Sequence, residues 1–551
     1  MHLWLVVHGM VGDSQTVDEG VHLAAGVSYW RTGDFRLNPE HPVLWKLVAA
    51  LPVLALHPTV PTDDPSWAAH DEWTFADRFM HENRVPTMRL LLLGRLATAL
   101  AGAALVLTVF WLGKRLFSAG CGLIAAGLTA FDPNVIAHAR YITTDLPVTL
   151  MIVVTITQLY RFVHAPSPRT LATLAIAVVA ALLTKFSALY LLFVLPLLLV
   201  LARRKYILAW SVRRTMATVL VASLLGIVAS YGFHLQRIGD DPRVDQVLRQ
   251  RQDIINAGRV EQQPAVARWL IRHTNDGDPL RAAIEWVKTV PVPGYWYVRG
   301  ISAVVSRSYW GSYTFAFGQL SDHGFPWYFP ATWLVKTPLP IILLLVVTLT
   351  TVVMTYGARR KRFPAAYWFL IIPAGLYVAL TFTSRLNLGV RHLLPIYPFL
   401  AIAIGSIWSL PALRTRLLRI GMILILLSVP LSTLSAHPTE IAYFSEWTGG
   451  TANGHRYLSD SNLDWGQDLL RLRTFLSEHA IRDLALDYAG TARPDRYGVR
   501  AQKIDRERPP TSGLVAVSIG NLIAVPESYQ WLAQAQVVGR AGASIILFRL
   551  D

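Results

Sequence analysis

The stretch LLLLGRLATALAGAALVLTVFWL (residues 90–112), followed by GKRLF (113–117), decides the class of fold. It has the length and apolar composition of a helix that crosses a bilayer, since a span needs about 20 mostly apolar residues. Nine further stretches of this kind predict an α-helical polytopic membrane protein. They lie at 119–137, 146–163, 170–184, 188–202, 215–233, 332–356, 364–382, 393–411 and 420–434.

The composition of the 551-residue chain agrees with this prediction. Hydrophobic residues make up 53% and charged residues 16%, whereas an average soluble domain has about 25% charged residues. These values exclude a disordered, collagen-like or coiled-coil chain and argue against an ordinary cytosolic enzyme. The single cysteine, Cys121, cannot form an intrachain disulfide or a cysteine-based zinc site.

Residues 1–11 (MHLWLVVHGMV) are apolar but too short to span the membrane. They lack the basic start and small-residue cleavage site of a signal peptide. We expect them to be the end of a first helix whose start is missing or misassigned. With this segment the chain has about eleven predicted transmembrane helices.

The basic residues indicate how the spans are oriented. Five alternate loops hold 16 basic residues and no Asp or Glu, and by the positive-inside rule they are cytoplasmic. The net charge of +16 is therefore an orientation signal, and we expect no nucleic-acid partner. The loops are GKRLF (113–117), RFVHAPSPR (161–169), RRKYILAWSVRR (203–214), ARRKR (358–362) and RTRLLR (414–419).

The remaining segments then face the periplasm or the exterior of a cell (inner or plasma) membrane. We predict a transmembrane body at 1–434, which carries two long exterior loops at 12–88 and 234–331. The tail, 435–551, is long enough for a small exterior α/β domain. Its pattern predicts helices at 465–478 and 526–535 and strands at 483–489, 513–519 and 543–549.

Acidic residues on this face are candidates for catalysis. Asp18 and Glu19 are adjacent carboxylates near the start of the first exterior loop. They could supply a general base, or they could cap the helix expected near 19–31. Asp145, in TTDLP (143–147), has two interpretations as well, because it can cap the following span or lie beside Asp18.

Basic residues on the same face are candidates for binding an anionic lipid headgroup. Lys46 lies in an apolar interfacial helix, where it could reach a lipid phosphate or serve as a general anchor. Arg140 could hold a phosphate or pair with Asp145. Arg385 and Arg391 could grip the headgroup with paired N–H donors, or simply flank the bilayer.

Metal binding has weaker support in the sequence. Glu19 and His22 are three residues apart, and Glu40 and His41 are adjacent. The HExxH pattern of a helical zinc site is absent. We therefore predict no certain cofactor and leave a divalent cation open.

Six motifs occur in order along most of the chain and on one predicted side of the membrane. In this combination the chain resembles the polyprenyl-phosphate-dependent glycosyltransferases of the GT-C fold. The closest resemblance is to glycosyltransferase family 39, which is related to protein O-mannosyltransferases and to the aminoarabinose transferase that modifies lipid A. The motifs are Asp18-Glu19, GDFRLNPEHPVLWK (33–46), TTDLP (143–147), WYFPATWLVKTPLP (327–340), GVRHLLPIYPF (389–399) and SDSNLDWGQDL (459–469).

The resemblance implies a membrane glycosyltransferase. A sugar would pass from a polyprenyl-phosphate-linked donor to an acceptor protein, lipid or glycan, typically with inversion. Asp18 matches the base of the family, Glu19 the acid that positions the acceptor, and Asp145 the acid of the second loop.

The resemblance and the basic residues together predict a donor-binding set of six residues. Glu40 matches the Glu of a Glu-x-Pro element in the first loop. His41 stands where the aminoarabinose transferase has a lysine, which shifts the expected phosphate contact toward Lys46. The complete set is Glu40, His41, Lys46, Arg140, Arg385 and Arg391.

Two other functions stay open at this point. A transporter or flippase for a lipid-linked glycan would carry ionisable residues at mid-membrane and broken helices in two related halves. A non-catalytic assembly subunit would lack the acidic pair. The sequence shows no related halves and places its acids at helix ends, which favours the transferase. The resemblance implies a mannosyltransferase-like reaction with a hexosyl or pentosyl donor.

Overall fold

The computed structural model describes residues 1–203, 211–263, 265–274, 277–356, 363–410 and 415–550. In these ranges six helices are long and apolar enough to cross a membrane, and six apolar helices are shorter. The predicted α-helical polytopic class is confirmed. The long helices are Thr87–Leu116, Asp145–His164, Val212–Ser230, Leu339–Tyr356, Val390–Ser409 and Arg416–Ala436. The shorter ones are His2–Val11, Val43–Leu54, Ala119–Ala130, Pro168–Thr184, Phe186–Ala202 and Ala365–Thr381.

Every predicted span contains a helix, but prolines break two of them. The 119–137 stretch is interrupted at Pro133 and the 332–356 stretch at Pro338. Proline has no backbone N–H and disfavours helical backbone in the residue before it. Hydropathy therefore predicts the extent of each apolar segment, and proline shortens the helices within it. The additional short helices are Pro133–His138 and Tyr328–Lys336.

Glycine lets two of the apolar helices approach closely. Thr87–Leu116 packs against Ala119–Ala130. A Cβ atom at Gly122 would lie 2.5 Å from the carbonyl oxygen of Phe110, so a side chain there would force the backbones apart. The second of these helices also packs against Tyr397–Ser406, which continues the buried core.

The two long loops are folded. The first loop, 12–88, forms the helices Glu19–Thr32, Val43–Leu54, Pro65–Ala68 and Glu72–His81. The second loop, 234–331, forms the helices Pro242–Asn256, Ala265–Arg272, Pro279–Thr289 and Tyr295–Trp310. Two short antiparallel pairs accompany them, Leu235–Arg237 with Pro291–Pro293 and Thr314–Ala316 with Gln319–Ser321.

The tail contains a mixed five-stranded sheet, in agreement with the predicted α/β pattern. Three neighbouring strands run parallel, and the last two continue the sheet by antiparallel pairing. In spatial order the strands are Gln502–Lys503, Ala485–Asp487, Gly513–Ser518, Ile545–Leu550 and Gln536–Ala541. The helices Leu469–Glu478 and Ile519–Ala524 accompany them.

The details of the tail differ from the prediction at its edges. The predicted helix at 526–535 is a 3-10 helix, Pro526–Leu532. The sequence does not predict either edge strand, 502–503 or 536–541. One is only two residues long, and the other contains an irregular register at Val537–Gly539, so neither shows a clean alternation of polar and apolar residues.

The start of the tail lies against the first loop. The backbone N–H of Ser14 donates to the carbonyl of Gln467 at 2.9 Å, and the N–H of Val17 donates to the carbonyl of Trp465 at 3.1 Å. These bonds bring the motif at 459–469 next to Asp18. The domain boundary between 434 and 435 stays a prediction.

The orientation of the chain also stays a prediction. Three of the five basic loops, 203–214, 358–362 and 414–419, lie wholly or partly outside the described residues.

Candidate active site

Two carboxylates and two cations from distant parts of the chain meet at one place. Nη1 of Arg391 lies 2.7 Å from Oδ2 of Asp18 and 4.0 Å from Oδ2 of Asp145. The ammonium group of Lys185 lies 2.5 Å from Oδ1 of Asp145. The structure therefore places Asp18 beside Asp145, as one of the two interpretations of the sequence predicts.

Both acids stand at helix starts, but neither position carries a side-chain cap bond. Asp18 precedes the helix Glu19–Thr32, and its carboxylate makes no hydrogen bond to the first turn. Asp145 is the first residue of the helix Asp145–His164. Because their oxygens face Arg391 and Lys185, capping does not account for these acids.

Arg391 is held by its turn and by an aromatic ring. It follows Gly389, whose φ of 126° is favourable only for glycine. The guanidinium carbon lies 4.3 Å from the ring centre of Trp465. Nη1 is paired with Asp18, and Nε is buried with no hydrogen-bond partner in the part of the chain that the structure describes. The guanidinium therefore has a donor that the described residues leave unused.

The two acids differ in access and in charge environment. The side chain of Asp18 is 23% exposed, whereas that of Asp145 is 3% exposed. Burial by itself would raise the pKa of Asp18, but the charge of Arg391 holds that pKa below its usual value. Asp18 is thus an ionised carboxylate that solvent can reach.

Two histidines extend the site toward the second helix of the first loop. The rings of His22 and His41 meet edge to face, with centres 4.8 Å apart. Nδ1 of His41 lies 3.2 Å from Oγ1 of Thr144. Burial lowers the pKa of His41 well below its usual value, so its imidazole is neutral near pH 7 and can form hydrogen bonds without adding charge.

Lys46 makes hydrogen bonds within the first loop. Its side chain is buried, and Nζ donates to the carbonyl oxygens of Asn38 and His41 at 2.6 and 2.7 Å and to the hydroxyl of Tyr29 at 2.8 Å. An ammonium group has three donors, so these bonds use all of them. Lys46 therefore links the turn at 38–41 to its helix, and its expected contact with a donor phosphate stays a prediction.

Glu19 forms a buried ion pair with Arg95. Its two oxygens accept from Nε and Nη2 of Arg95 at 2.8 and 2.7 Å, and both side chains are completely buried. The backbone N–H groups of Thr16 and Ile142 also donate to Glu19. With these bonds Glu19 joins the first loop to two other segments, and no oxygen is left to position an acceptor.

The other predicted donor-binding residues lie apart from this cluster. Arg140 is buried and pairs with Glu440 and the carbonyl of Pro438, rather than with Asp145. Arg385 is exposed and donates to the carbonyl of Tyr309 at 3.3 Å. Of the predicted set, only Arg391 contacts the two acids directly.

Glu40 lies next to His41 but points to another partner. Its carboxylate accepts from Nη1 of Arg307 at 2.9 Å, and both side chains are substantially exposed. An exposed pair of this kind adds little to stability. Glu40 is accordingly accessible at the rim of the site.

Sequence reasoning missed two members of the cluster, Lys185 and Trp465. Lys185 stands in the short turn between the spans at 170–184 and 188–202, on the same predicted side as Asp145. A charged residue in so short a turn was the available signal. Trp465 lies in the motif at 459–469, and no pattern in the sequence pairs it with Arg391.

Among the residues that the structure describes, no group of three or more His, Cys, Asp or Glu side chains is arranged to hold a metal ion. The divalent cation considered above stays a prediction.

Comparison with protein families gives one match. The model of the dolichyl-phosphate-mannose-protein mannosyltransferase family matches residues 91–230. The matched segment contains Asp145 and Lys185. A search of curated proteins finds no match.

Solved structures give distant matches. ArnT from Cupriavidus metallidurans bound to undecaprenyl phosphate has 12% identity and a TM-score of 0.46, with 99% of this chain and 96% of that chain covered. The oligosaccharyltransferase AglB from Archaeoglobus fulgidus, in complex with an inhibitory peptide and a dolichol-phosphate, has 12% identity and a TM-score of 0.43. That alignment covers 78% of this chain and 54% of that chain.

The helical architecture is that of a multi-pass membrane protein. The family match covers residues 91–230, about a quarter of the chain, and agrees with the resemblance to the GT-C glycosyltransferases.

Proposed function

We propose that the chain transfers a sugar from a polyprenyl-phosphate-linked donor to an acceptor hydroxyl, with Asp18 as the general base. The observation that carries the proposal is the position of Arg391, whose Nη1 lies 2.7 Å from Asp18 and 4.0 Å from Asp145. This arrangement places an accessible carboxylate directly beside a cation that still has a free donor.

Arg391 and Lys185 are suited to bind the donor phosphate. Nε of Arg391 has no partner, and the side chain of Lys185 is 14% exposed at the same cluster. A phosphate leaving group departs more readily when fixed positive charges balance its developing charge. Both cations now face carboxylates, so an incoming phosphate would share them with Asp18 and Asp145.

Asp18 is better placed than Asp145 to act as the base. Asp145 is almost completely buried and held by Lys185 at 2.5 Å, whereas Asp18 is partly exposed. In the proposed step the acceptor oxygen forms a bond to the anomeric carbon, and its proton passes to Asp18. The bond from that carbon to the phosphate oxygen breaks, and the polyprenyl phosphate leaves with the electron pair and with inversion at carbon.

The remaining details of the reaction are part of the proposal. The matched family is described by a dolichyl-phosphate-mannose donor and a protein acceptor, which supports a mannosyl or similar hexosyl or pentosyl group and an acceptor protein, lipid or glycan. We place the site on the periplasmic or exterior face of the cell membrane, where the positive-inside rule puts Asp18.

Transfer of a labelled sugar tests the function. Purified full-length protein in lipid vesicles is given mannose on a polyprenyl phosphate, and the label is followed into protein, lipid and glycan fractions. We expect label in one fraction with release of polyprenyl phosphate, and none from a nucleotide sugar. Movement of intact donor across the vesicle membrane without release would contradict the proposal and support the transporter alternative.

A further inference from the structure

We infer that Trp465 is a positioning residue, whose indole face holds the guanidinium of Arg391 against Asp18 and next to Asp145. By this contact the tail adds an aromatic face to a cluster in which Asp18, Asp145, Lys185 and Arg391 come from the rest of the chain. The inference rests on the proposed function of the cluster and adds that Trp465 sets the position of Arg391.

The contact itself is close and buried. The guanidinium carbon of Arg391 lies 4.3 Å from the ring centre of Trp465, and Trp465 is 3% exposed. Tryptophan is the best aromatic partner for a cation, particularly where water is excluded. Among the described residues Nε of Arg391 has no hydrogen-bond partner, so the ring and the Nη1 contacts with Asp18 and Asp145 restrict the orientation of the guanidinium plane.

The ring also contacts two other aromatic rings. The centres of the His138 and Tyr141 rings lie 6.1 and 5.9 Å from that of Trp465, both in edge-to-face geometry. His138 ends the helix Pro133–His138, and Tyr141 lies in the segment that follows it and leads to Asp145. The indole therefore contacts both the arginine and the segment that carries the second acid, and this packing restricts its rotation.

The backbone around Trp465 is tied to the segment that carries Asp18. The carbonyl of Trp465 accepts from the N–H of Val17 at 3.1 Å, and the carbonyl of Gly466 accepts from the hydroxyl of Ser14 at 2.9 Å. That hydroxyl in turn accepts from the N–H of Leu469 at 3.1 Å. The tail thus holds the base by backbone bonds while it holds Arg391 by the ring.

The same motif also fixes the turn that carries Arg391. Oδ1 of Asn462 accepts from the N–H of Val390 at 2.9 Å. A Cβ atom at Gly389 would lie 2.5 Å from the hydroxyl of Ser461. The segment that carries Asp18 and the turn that carries Arg391 therefore both contact one short segment of the tail, at 461–466.

The motif is anchored in turn to the tail sheet. Asp464 accepts from the N–H of Gly466 at 3.2 Å and from that of Gly520 at 2.9 Å. Gly520 follows the central strand Gly513–Ser518. A displacement of the sheet would accordingly move Trp465 and, through it, Arg391.

The variants Trp465→Leu and Trp465→Phe test the inference in the full-length protein. We measure kcat, the KM for the polyprenyl-phosphate-linked donor, and the pH dependence of kcat/KM. For Trp465→Leu we expect a higher donor KM and a loss of kcat/KM of about 10²-fold, the scale expected when a reacting group moves by about 1 Å. Trp465→Phe keeps a weaker aromatic face, and we expect a donor KM between those of the wild type and Trp465→Leu.

The pH profile separates positioning from a purely structural role. Arg391 holds the pKa of Asp18 down, so a guanidinium that drifts away lets this pKa rise, and the acid limb of kcat/KM moves to higher pH. Trp296→Leu is the matched control, since Trp296 is buried beside Tyr295 and His70, away from Arg391. We expect it to lower the amount of folded protein while leaving the acid limb in place.

The outcomes distinguish the two proposals. A wild-type protein that transfers no sugar overturns the proposed function, and this inference with it. An active wild type whose acid limb and donor KM are unchanged in both Trp465 variants overturns the inference alone. If Trp465→Leu does not fold, a rise in donor KM for Trp465→Phe supports the inference, and an unchanged KM and acid limb in that variant overturn it.

Discussion

Asp18 and Glu19 are neighbours in the chain, and each is paired with an arginine, yet the two pairs differ in almost every physical respect. Glu19 and Arg95 are completely buried, and further backbone donors complete the coordination of Glu19. Asp18 is 23% exposed, and its partner Arg391 keeps an unpaired Nε. The first pair holds the fold together, and the second has capacity left for a substrate.

The difference has a simple physical origin. A buried ion pair is tolerated only when its remaining hydrogen-bonding groups are also satisfied. The Glu19 pair meets that condition within the protein. The Asp18 pair does not, and an unsatisfied buried donor is retained more readily where a ligand will complete it.

Removal of the carboxylate of Asp18 should have the largest effect on activity. Asp18→Asn is expected to lower kcat by about 10²–10⁴-fold, the usual contribution of a general base, with little change in thermal unfolding. Sugar transfer and thermal unfolding of the same preparation measure the two quantities. If Asp18→Asn instead lowers the amount of folded protein while the rate per folded molecule is unchanged, Asp18 has a structural role, as Glu19 does, and is not the base.

Removal of the partner of Glu19 should affect folding. Arg95→Leu leaves a buried carboxylate uncompensated, and we expect the free energy of unfolding to fall by about 3–5 kcal/mol. Asp34→Asn is the control, because the Asp34–Arg36 pair is partly exposed and should contribute about 0–1 kcal/mol. Denaturant unfolding in detergent measures both. A stable Arg95→Leu protein that cannot transfer sugar would assign Glu19 a role in the reaction.

Lys185 and Lys46 provide a second comparison between a residue proposed to bind substrate and one that stabilises the fold. Lys185→Met is expected to raise the donor KM about tenfold or more, since a hydrogen bond to a charged group is worth about 1.5–3 kcal/mol. Lys46→Met is the matched variant, and because Lys46 bonds only to protein oxygens, it should lower stability and leave donor KM unchanged. Steady-state kinetics measure the donor KM of both variants. A higher donor KM in Lys46→Met, with an unchanged KM in Lys185→Met, would indicate that Lys46 and not Lys185 binds the phosphate.

The pH dependence of the reaction provides a further test of the Asp18 pair. Because Arg391 holds the pKa of Asp18 below its usual value of about 3.9, the base stays ionised as the pH falls, and kcat/KM should be flat from pH 7 to about pH 5. In Arg391→Gln the pKa rises, so activity is lost at a higher pH than in the wild type. If the acid limbs of the two proteins are identical, Arg391 does not lower the pKa of the catalytic base, and this prediction is contradicted.

A chelator should have the smallest effect. Arg391 and Lys185 already supply two positive charges at the cluster, so we expect EDTA to change the transfer rate by less than about twofold, too little to indicate loss of a metal that balances leaving-group charge. A strong loss that Mg²⁺ or Mn²⁺ restores would show that a divalent cation contributes to the site.

The sequence predicts the class of fold well, because apolar length is a property of each segment by itself. It also places Asp18, Asp145 and Arg391 on one predicted face, and the structure brings them together. The protein partners of Lys46 and Arg140 could not be predicted, since they depend on how the chain folds. Lys46 bonds to the turn at 38–41, and Arg140 bonds to residues 438 and 440. Trp465 could not be identified for the same reason, as the ring and its arginine are far apart in the chain.

A structure of the full chain with bound polyprenyl phosphate tests the central claim most directly. The account predicts that the phosphate oxygens lie within hydrogen-bond distance of Arg391 and Lys185, with Asp18 free to face an acceptor. A phosphate bound at Arg385 or Arg140, with the Asp18–Arg391 pair intact and remote from it, would contradict the account.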